Sequence, residues 1–149
     1  MKLEILPELW LGDKDTIRDT YFLQDKNINC IINCTKHINF NTGYTESNNI
    51  RIDINNEPSY SENVKLLTKL NDITELIHKY LTSNKSVLVF CDSGKRCATA
   101  IIISYLMRYG KIELSKCISC IELKCMNHFD PSYFMALEHY EKNLKILYK

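Results

Sequence analysis

Apolar and polar residues alternate with a period of two in several short segments, which indicates strands. The opening segment LEILPELWLG predicts two short strands joined by a turn at Pro7. The segments NINCIINCT (27–35) and NIRIDIN (49–55) predict a buried strand and a half-buried one, the latter with Ile50, Ile52 and Ile54 on one face. The continuous apolar run SVLVF (86–90) is typical of a covered strand at a sheet centre.

A longer segment repeats its apolar residues at helical spacing after the loop NEPSYSE. These residues are Val64, Leu67, Ile73, Leu76, Ile77 and Leu81. The spacing predicts a helix from about Ser61 to Leu81, capped near Ser61 or Glu62.

Three further helices are predicted in the second half of the chain. The first runs from Ala98 to Tyr109 and stops at Gly110, and the second runs from Leu114 to about Cys125. The last begins after Pro131, which suits a first helical turn, and ends near Tyr148. Strands that alternate with helices predict a single α/β domain over residues 1–149, with a central, mostly parallel sheet flanked by helices.

The composition excludes only a few classes of protein. The 149 residues carry a net charge of +1, so bulk attraction to nucleic acid or to a membrane is not indicated. No apolar run reaches the roughly 20 residues of a membrane span, and the start MKLEILPELWLGDKD does not read as a signal peptide. Seven cysteines without such a signal indicate reduced thiols and a cytoplasmic protein, with Cys30 and Cys34 as core residues.

The segment VLVFCDSGKRCATAIIISYLM (87–107) places a cysteine in the turn between a strand and a helix. Backbone N–H groups in such a turn form a concave nest for oxyanions, and the helix N-terminus adds partial positive charge. Gly94 provides the backbone freedom that the turn needs. The same field is expected to lower the pKa of the Cys91 thiol.

This segment and several others together resemble the dual-specificity protein phosphatases, a branch of the cysteine-dependent tyrosine phosphatases. ILPELWLGDKD, INCIINCT, SVLVFCDSG, SYLMRYGKIELSKCI and DPSYFMALEHYEKNL are similar to successive family elements. The resemblance implies the family fold, a phosphorylated protein or peptide as partner, and no cofactor or metal. It also implies Cys91 as the nucleophile and a phosphate-binding loop formed by Asp92, Ser93, Gly94, Lys95, Arg96 and Cys97.

The loop departs from the family pattern, which reads His-Cys, five residues, Arg, then Ser or Thr. Counted from Cys91, the arginine position holds Cys97, and the hydroxyl position holds Ala98. Phe90 replaces the histidine. A guanidinium clamps two phosphoryl oxygens at once and a thiol cannot, and loss of one preorganised donor costs about 3–4 kcal/mol.

The general acid also differs from the family pattern. The resemblance places Asn56 at the position of the family aspartate, and an amide is not a proton donor at neutral pH. Positioned acid catalysis contributes roughly 100- to 10,000-fold. Asp53 and Glu57 are close in sequence, but their pattern fits solvated carboxylates.

These departures favour a phosphatase-like protein that has weak or absent activity and binds phosphorylated proteins through the loop from Cys91 to Cys97. An active phosphatase that uses Arg96 as an altered clamp is the main alternative. The hexapeptide CDSGKR also resembles the shorter loop of rhodanese-type sulfurtransferases, which is a minor alternative. A Cys91–Cys97 disulfide and the oligomeric state stay open.

Two other clusters receive structural interpretations. Cys117, Cys120 and Cys125 lack the second ligand cluster of a structural zinc site, so helix packing is the better account. The resemblance to the family implies that Tyr133 and Phe134 lie in the core under the last helix.

Overall fold

The protein is built around one five-stranded sheet in the order β1-β2-β5-β3-β4. A computed structural model describes residues 1–55 and 57–147. The strands are β1 (Lys2–Leu6), β2 (Leu9–Gly12), β3 (Ile28–Asn33), β4 (Asn48–Arg51) and β5 (Ser86–Phe90). Only the β1–β2 pair is antiparallel among these strands, so the mostly parallel sheet predicted from the sequence is confirmed.

Helices cover both faces of the sheet. They are α1 (Lys14–Arg18), α2 (Thr20–Asp25), α3 (Tyr60–Thr82), α4 (Cys97–Gly110), α5 (Leu114–Cys125), a 3₁₀ turn (Pro131–Tyr133) and α6 (Phe134–Leu147). The predicted end of the last helix at Tyr148 lies outside the described residues. The two shortest helices, α1 and α2, were not predicted, because five or six residues are too few to show a period.

The central strand β5 is buried on both faces, which explains its uninterrupted apolar run. Val87 and Val89 belong to the larger core, which α3 to α6 complete. Leu88 and Phe90 point to the opposite face, into a smaller core closed by α1 and α2. The strand therefore ends at a fixed position between two packed layers.

Helix α3 begins earlier than predicted. Its N-cap is Ser59, whose hydroxyl accepts the Glu62 N–H at 3.2 Å, so the prediction of a cap at Ser61 or Glu62 was wrong. The buried face includes Leu66 and Leu70, whereas Val64 is exposed. Serine two residues upstream is the better cap because its side chain can reach the N3 amide.

Three other boundary predictions need correction. Helix α4 continues through Gly110, and Lys111 adopts the left-handed backbone with φ of 56°. Strand β4 ends at Arg51, and Ile52 and Ile54 are buried after it in irregular backbone. Phe134 is 39% exposed, because the 3₁₀ turn before α6 directs Tyr133, not Phe134, into the core.

Within the described residues, no helix combines the length and the apolar character needed to cross a lipid bilayer.

Candidate functional site

The turn between β5 and α4 wraps around the sulfur of Cys91. The Gly94 N–H donates to Cys91 Sγ at 3.1 Å, and the N–H groups of Arg96 and Ala98 also point at this sulfur. Three backbone donors thus converge at the start of a fourteen-residue helix, an arrangement that favours negative charge. Its use as an oxyanion site stays a prediction.

Gly94 allows the turn to close. Its φ is +75°, and its carbonyl accepts the Thr99 hydroxyl at 2.6 Å. A Cβ at this position would collide with the Met1 methyl and lie 2.9 Å from the Gly12 carbonyl oxygen. On the other side of the turn, the Lys14 N–H donates to the Asp92 carbonyl at 3.1 Å. The loop is thus fixed against the segment that joins β2 to α1.

A cavity of about 310 Å³ opens over this turn. Its loop residues are Cys91, Asp92, Ser93, Lys95, Arg96 and Cys97, and its other described lining residues are Asn55, Asp130 and Tyr133. The structure therefore brings the predicted loop side chains to one cavity, whereas Gly94 is not among its lining residues. Asn56, the position predicted for the general acid, lies outside the described residues.

The Cys91 thiol does not have the lowered pKa expected from the sequence. It is 3% exposed, and burial raises its pKa, which the nearby Cys97 raises further. The three backbone donors act in the opposite direction but do not outweigh burial. Transfer of a thiolate into a dry site costs more free energy than these donors return, so Cys91 is a protonated thiol at neutral pH.

Cys97, which the resemblance places at the family arginine position, is a buried core residue. It is 3% exposed, and its side chain hydrogen-bonds the thiol of Cys34, which follows β3. Burial raises the pKa of Cys34 well above its usual range, and the contact with Cys97 adds to this effect. The structure thus packs the sulfur of Cys97 against a second sulfur. The seven cysteines, all described, are free thiols.

Arg96 lies at the mouth of the cavity and is held by a carboxylate. Its Nε donates to Asp130 Oδ2 at 3.3 Å, and its side chain is 46% exposed. Asp130 accepts the N–H of Ser132 at 2.9 Å and also its hydroxyl. Partial burial opposes ionisation of Asp130, but these hydrogen bonds outweigh it and lower its pKa. Asp130 is therefore an anionic anchor at neutral pH.

Asn55 makes three hydrogen bonds directly before position 56, where the resemblance places the general acid. Its N–H donates to Glu62 Oε2 at 3.0 Å, its Nδ2 to Glu62 Oε1 at 3.4 Å, and its carbonyl accepts the Tyr133 hydroxyl at 3.1 Å. The Asn55 N–H is the main reason that the pKa of Glu62 is lowered, so Glu62 is ionised. Asp53 and Glu57 are exposed and lie outside the set of lining residues that the structure describes.

Three residues that line the cavity were not predicted from the sequence to belong to the site, and these are Asn55, Asp130 and Tyr133. Asn55 and Tyr133 are 78 positions apart, and Asp130 is 34 positions from Arg96. A capping signal at Asp130–Pro131 does mark a helix start, but spacing alone gives no sign that this start meets the loop.

Within residues 1–55 and 57–147, no group of three His, Cys, Asp or Glu side chains could hold a metal ion. In α5, Cys117 is buried, Cys125 is half-buried and Cys120 is exposed. Packing therefore accounts for Cys117, whereas the prediction of a packing role was wrong for Cys120, which lies on the solvent side of the helix.

Comparison with known proteins places this geometry in a family. The profile described as "Dual specificity phosphatase, catalytic domain" matches residues 9–143. A candidate tyrosine phosphatase, 123R of Invertebrate iridescent virus 6, is 30% identical over 122 residues, which cover 81% of this chain and 78% of the relative.

Two further proteins are similar over most of the chain. A candidate dual specificity protein phosphatase of Dictyostelium discoideum is 29% identical, and the match covers 91% of this chain but only 62% of the relative. The crystal structure of human DUSP28 has a TM-score of 0.85 at 17% identity, with coverage of 97% and 95% of the two chains, and so shows the same fold.

Substitution of Gly94 by alanine is expected to destabilise the protein by about 1–3 kcal/mol, because the left-handed backbone and the Gly12 carbonyl both oppose a Cβ. Gly110→Ala is the matched control. Its Cβ would meet the Ile112 side chain, which can move, and alanine is the better helix former. Urea unfolding measures both variants, and a Gly94→Ala protein as stable as Gly110→Ala would contradict the described turn.

Alkylation of Cys91 by iodoacetamide in the native protein should have a pH midpoint above the roughly 8.5 of a free thiol, because burial raises its pKa and only the thiolate reacts. Mass-spectrometric mapping across a pH series follows each cysteine separately, with exposed Cys120 as the accessibility control. A midpoint for Cys91 below pH 7 would refute the protonated thiol.

Proposed function

Because the chain belongs to the dual specificity phosphatase catalytic-domain family, we propose that it binds phosphorylated proteins through the loop from Cys91 to Cys97 and hydrolyses phosphoesters weakly or not at all. The cysteine-rich composition fits a reducing cytoplasm as its location. The family profile spans most of the chain, which leaves little support for the sulfur-transfer alternative.

The observation that carries this proposal is the burial of Cys97 against Cys34. A side chain fixed in the core cannot supply the bidentate, permanently charged contact by which arginine stabilises a phosphoryl group. Removal of one preorganised donor costs about 3–4 kcal/mol of transition-state stabilisation, or roughly 100- to 1,000-fold in rate.

The state of the nucleophile supports the same conclusion. Burial keeps Cys91 protonated, and a thiol attacks phosphorus far more slowly than a thiolate. The backbone N–H donors around Cys91 Sγ are present whether or not the site has a guanidinium and a thiolate. Anion binding can therefore persist where hydrolysis has declined.

An active phosphatase remains the second candidate, and the position of Arg96 favours it. The guanidinium lies at the cavity mouth beside Asp130, and a rotation of the long side chain would turn it toward a bound phosphoryl group. This candidate requires thiol-dependent turnover, which the binding proposal does not.

One experiment separates the two candidates. A phosphotyrosine peptide and its unphosphorylated counterpart are titrated against the protein, and release of a chromophore from an aryl phosphate is followed in parallel. We expect binding of the phosphopeptide alone, with chromophore release equal to that of Cys91→Ser. Cys120→Ser, on the exposed side of α5, controls for removal of a thiol. Brisk release by the unmodified protein that Cys91→Ser abolishes would overturn the proposal.

A guanidinium restored at the family position should strengthen binding. We expect Cys97→Arg to bind the phosphopeptide about tenfold more tightly, because a charge-assisted bidentate contact is worth about 1.5–3 kcal/mol. Cys97→Ser, which removes the sulfur without adding charge, should bind no more tightly than the unmodified protein. Circular dichroism checks that both variants are folded. Equal affinity of the arginine and serine variants would show that Cys97 does not occupy the clamp position.

A further inference from the structure

We propose that Asp130 makes the site prefer phosphopeptides that carry a lysine or arginine next to the phosphorylated residue. This inference rests on the proposed binding function, and it assigns Asp130 a role in specificity.

The charges of the described lining residues are balanced. Lys95 and Arg96 are cationic, and Asp92 and Asp130 are anionic. The carboxylate of Asp92 already pairs with a lysine that does not line the cavity, because Lys14 Nζ lies 3.9 Å from Asp92 Oδ1. Asp130 pairs with Arg96, whose guanidinium is also the lining group suited to bind a phosphate. The carboxylate and a bound phosphate therefore compete for the same guanidinium.

Asp130 is fixed in position, and the guanidinium of Arg96 is accessible from the cavity. Asp130 Oδ1 accepts both the N–H and the hydroxyl of Ser132 at the start of the 3₁₀ turn, which fixes the carboxylate. Arg96 Nε donates to the other carboxylate oxygen, Oδ2, at 3.3 Å from a side chain that is 46% exposed. A bound phosphate therefore competes with Asp130 for this guanidinium, and the carboxylate stays in place.

This exchange leaves a carboxylate at the cavity mouth beside a doubly charged phosphate. The Asp130 side chain is only 26% exposed, so water screens the repulsion incompletely. A cation on the ligand removes the repulsion by taking the place that Arg96 has left. Neighbouring residues of an extended peptide are about 3.3–3.6 Å apart along the chain, so the cation belongs on an adjacent or next-adjacent residue.

The test uses three fluorescent phosphopeptides that differ only in the residues flanking the phosphorylated one, which are lysine, alanine or glutamate. We expect the unmodified protein to bind the lysine peptide about fivefold more tightly than the alanine peptide, as for a partly exposed ion pair, and the glutamate peptide most weakly. The preference should shrink as salt rises.

Asp130→Asn should abolish the lysine preference, because an amide keeps the contact with Ser132 but carries no charge. Asp25→Asn is the matched control, since Asp25 is also a partly exposed carboxylate paired with a lysine but does not line the cavity. It should keep the full preference. Circular dichroism confirms the fold of both variants.

The outcomes separate this inference from the proposed function. Equal binding of the three phosphopeptides by the unmodified protein overturns the inference and leaves phosphopeptide binding intact. A uniform gain in affinity with Asp130→Asn, without loss of the lysine preference, also overturns it, because Asp130 would then only compete for Arg96. Failure of every phosphopeptide to exceed its unphosphorylated counterpart overturns the proposed function, and the inference with it.

Discussion

The site depends on one physical arrangement, the convergence of three backbone N–H groups on a buried sulfur. Because β5 is packed on both faces and α4 is buried along most of its length, the turn between them has a fixed position. The left-handed Gly94 then aims its N–H inward. The proposed anion binding thus depends on the backbone and the core, which changes of loop side chains leave in place.

Catalysis, in contrast, depends on side chains that come from separate parts of the chain. It needs a thiolate, a guanidinium and a proton donor, and each is sensitive to a single substitution. In this protein burial favours the protonated form of the Cys91 thiol, and Cys97, which the resemblance places at the arginine position, lies in the core. Proteins that share one arrangement of backbone N–H donors can therefore include both hydrolytic and binding members, because binding and turnover have different physical requirements.

The sequence was informative where local pattern decides structure, and it failed where packing decides. The run SVLVF was enough to locate strand β5 and the turn that follows it, since both depend on neighbours in the chain. The assignment of Cys97 to the arginine position stays a prediction from the count that starts at Cys91. The sign of the Cys91 pKa shift was wrong, because the depth of burial depends on α3 to α6 and outweighs the local donors. Asn55, Asp130 and Tyr133 reach the cavity only through tertiary contacts.

The proposed loss of the guanidinium also bears on what kind of ligand the cavity suits. Cys97, which the resemblance places at the arginine position, is buried, and the charged residues among the described lining residues are two cations and two carboxylates. Of these, Arg96 and Asp130 are partly exposed. Under the proposed function, the charge of a bound phosphate is therefore matched by these lining side chains. Since the residues flanking a phosphate lie at the rim of such a cavity, the proposal implies recognition that depends more on the peptide and less on the phosphate alone.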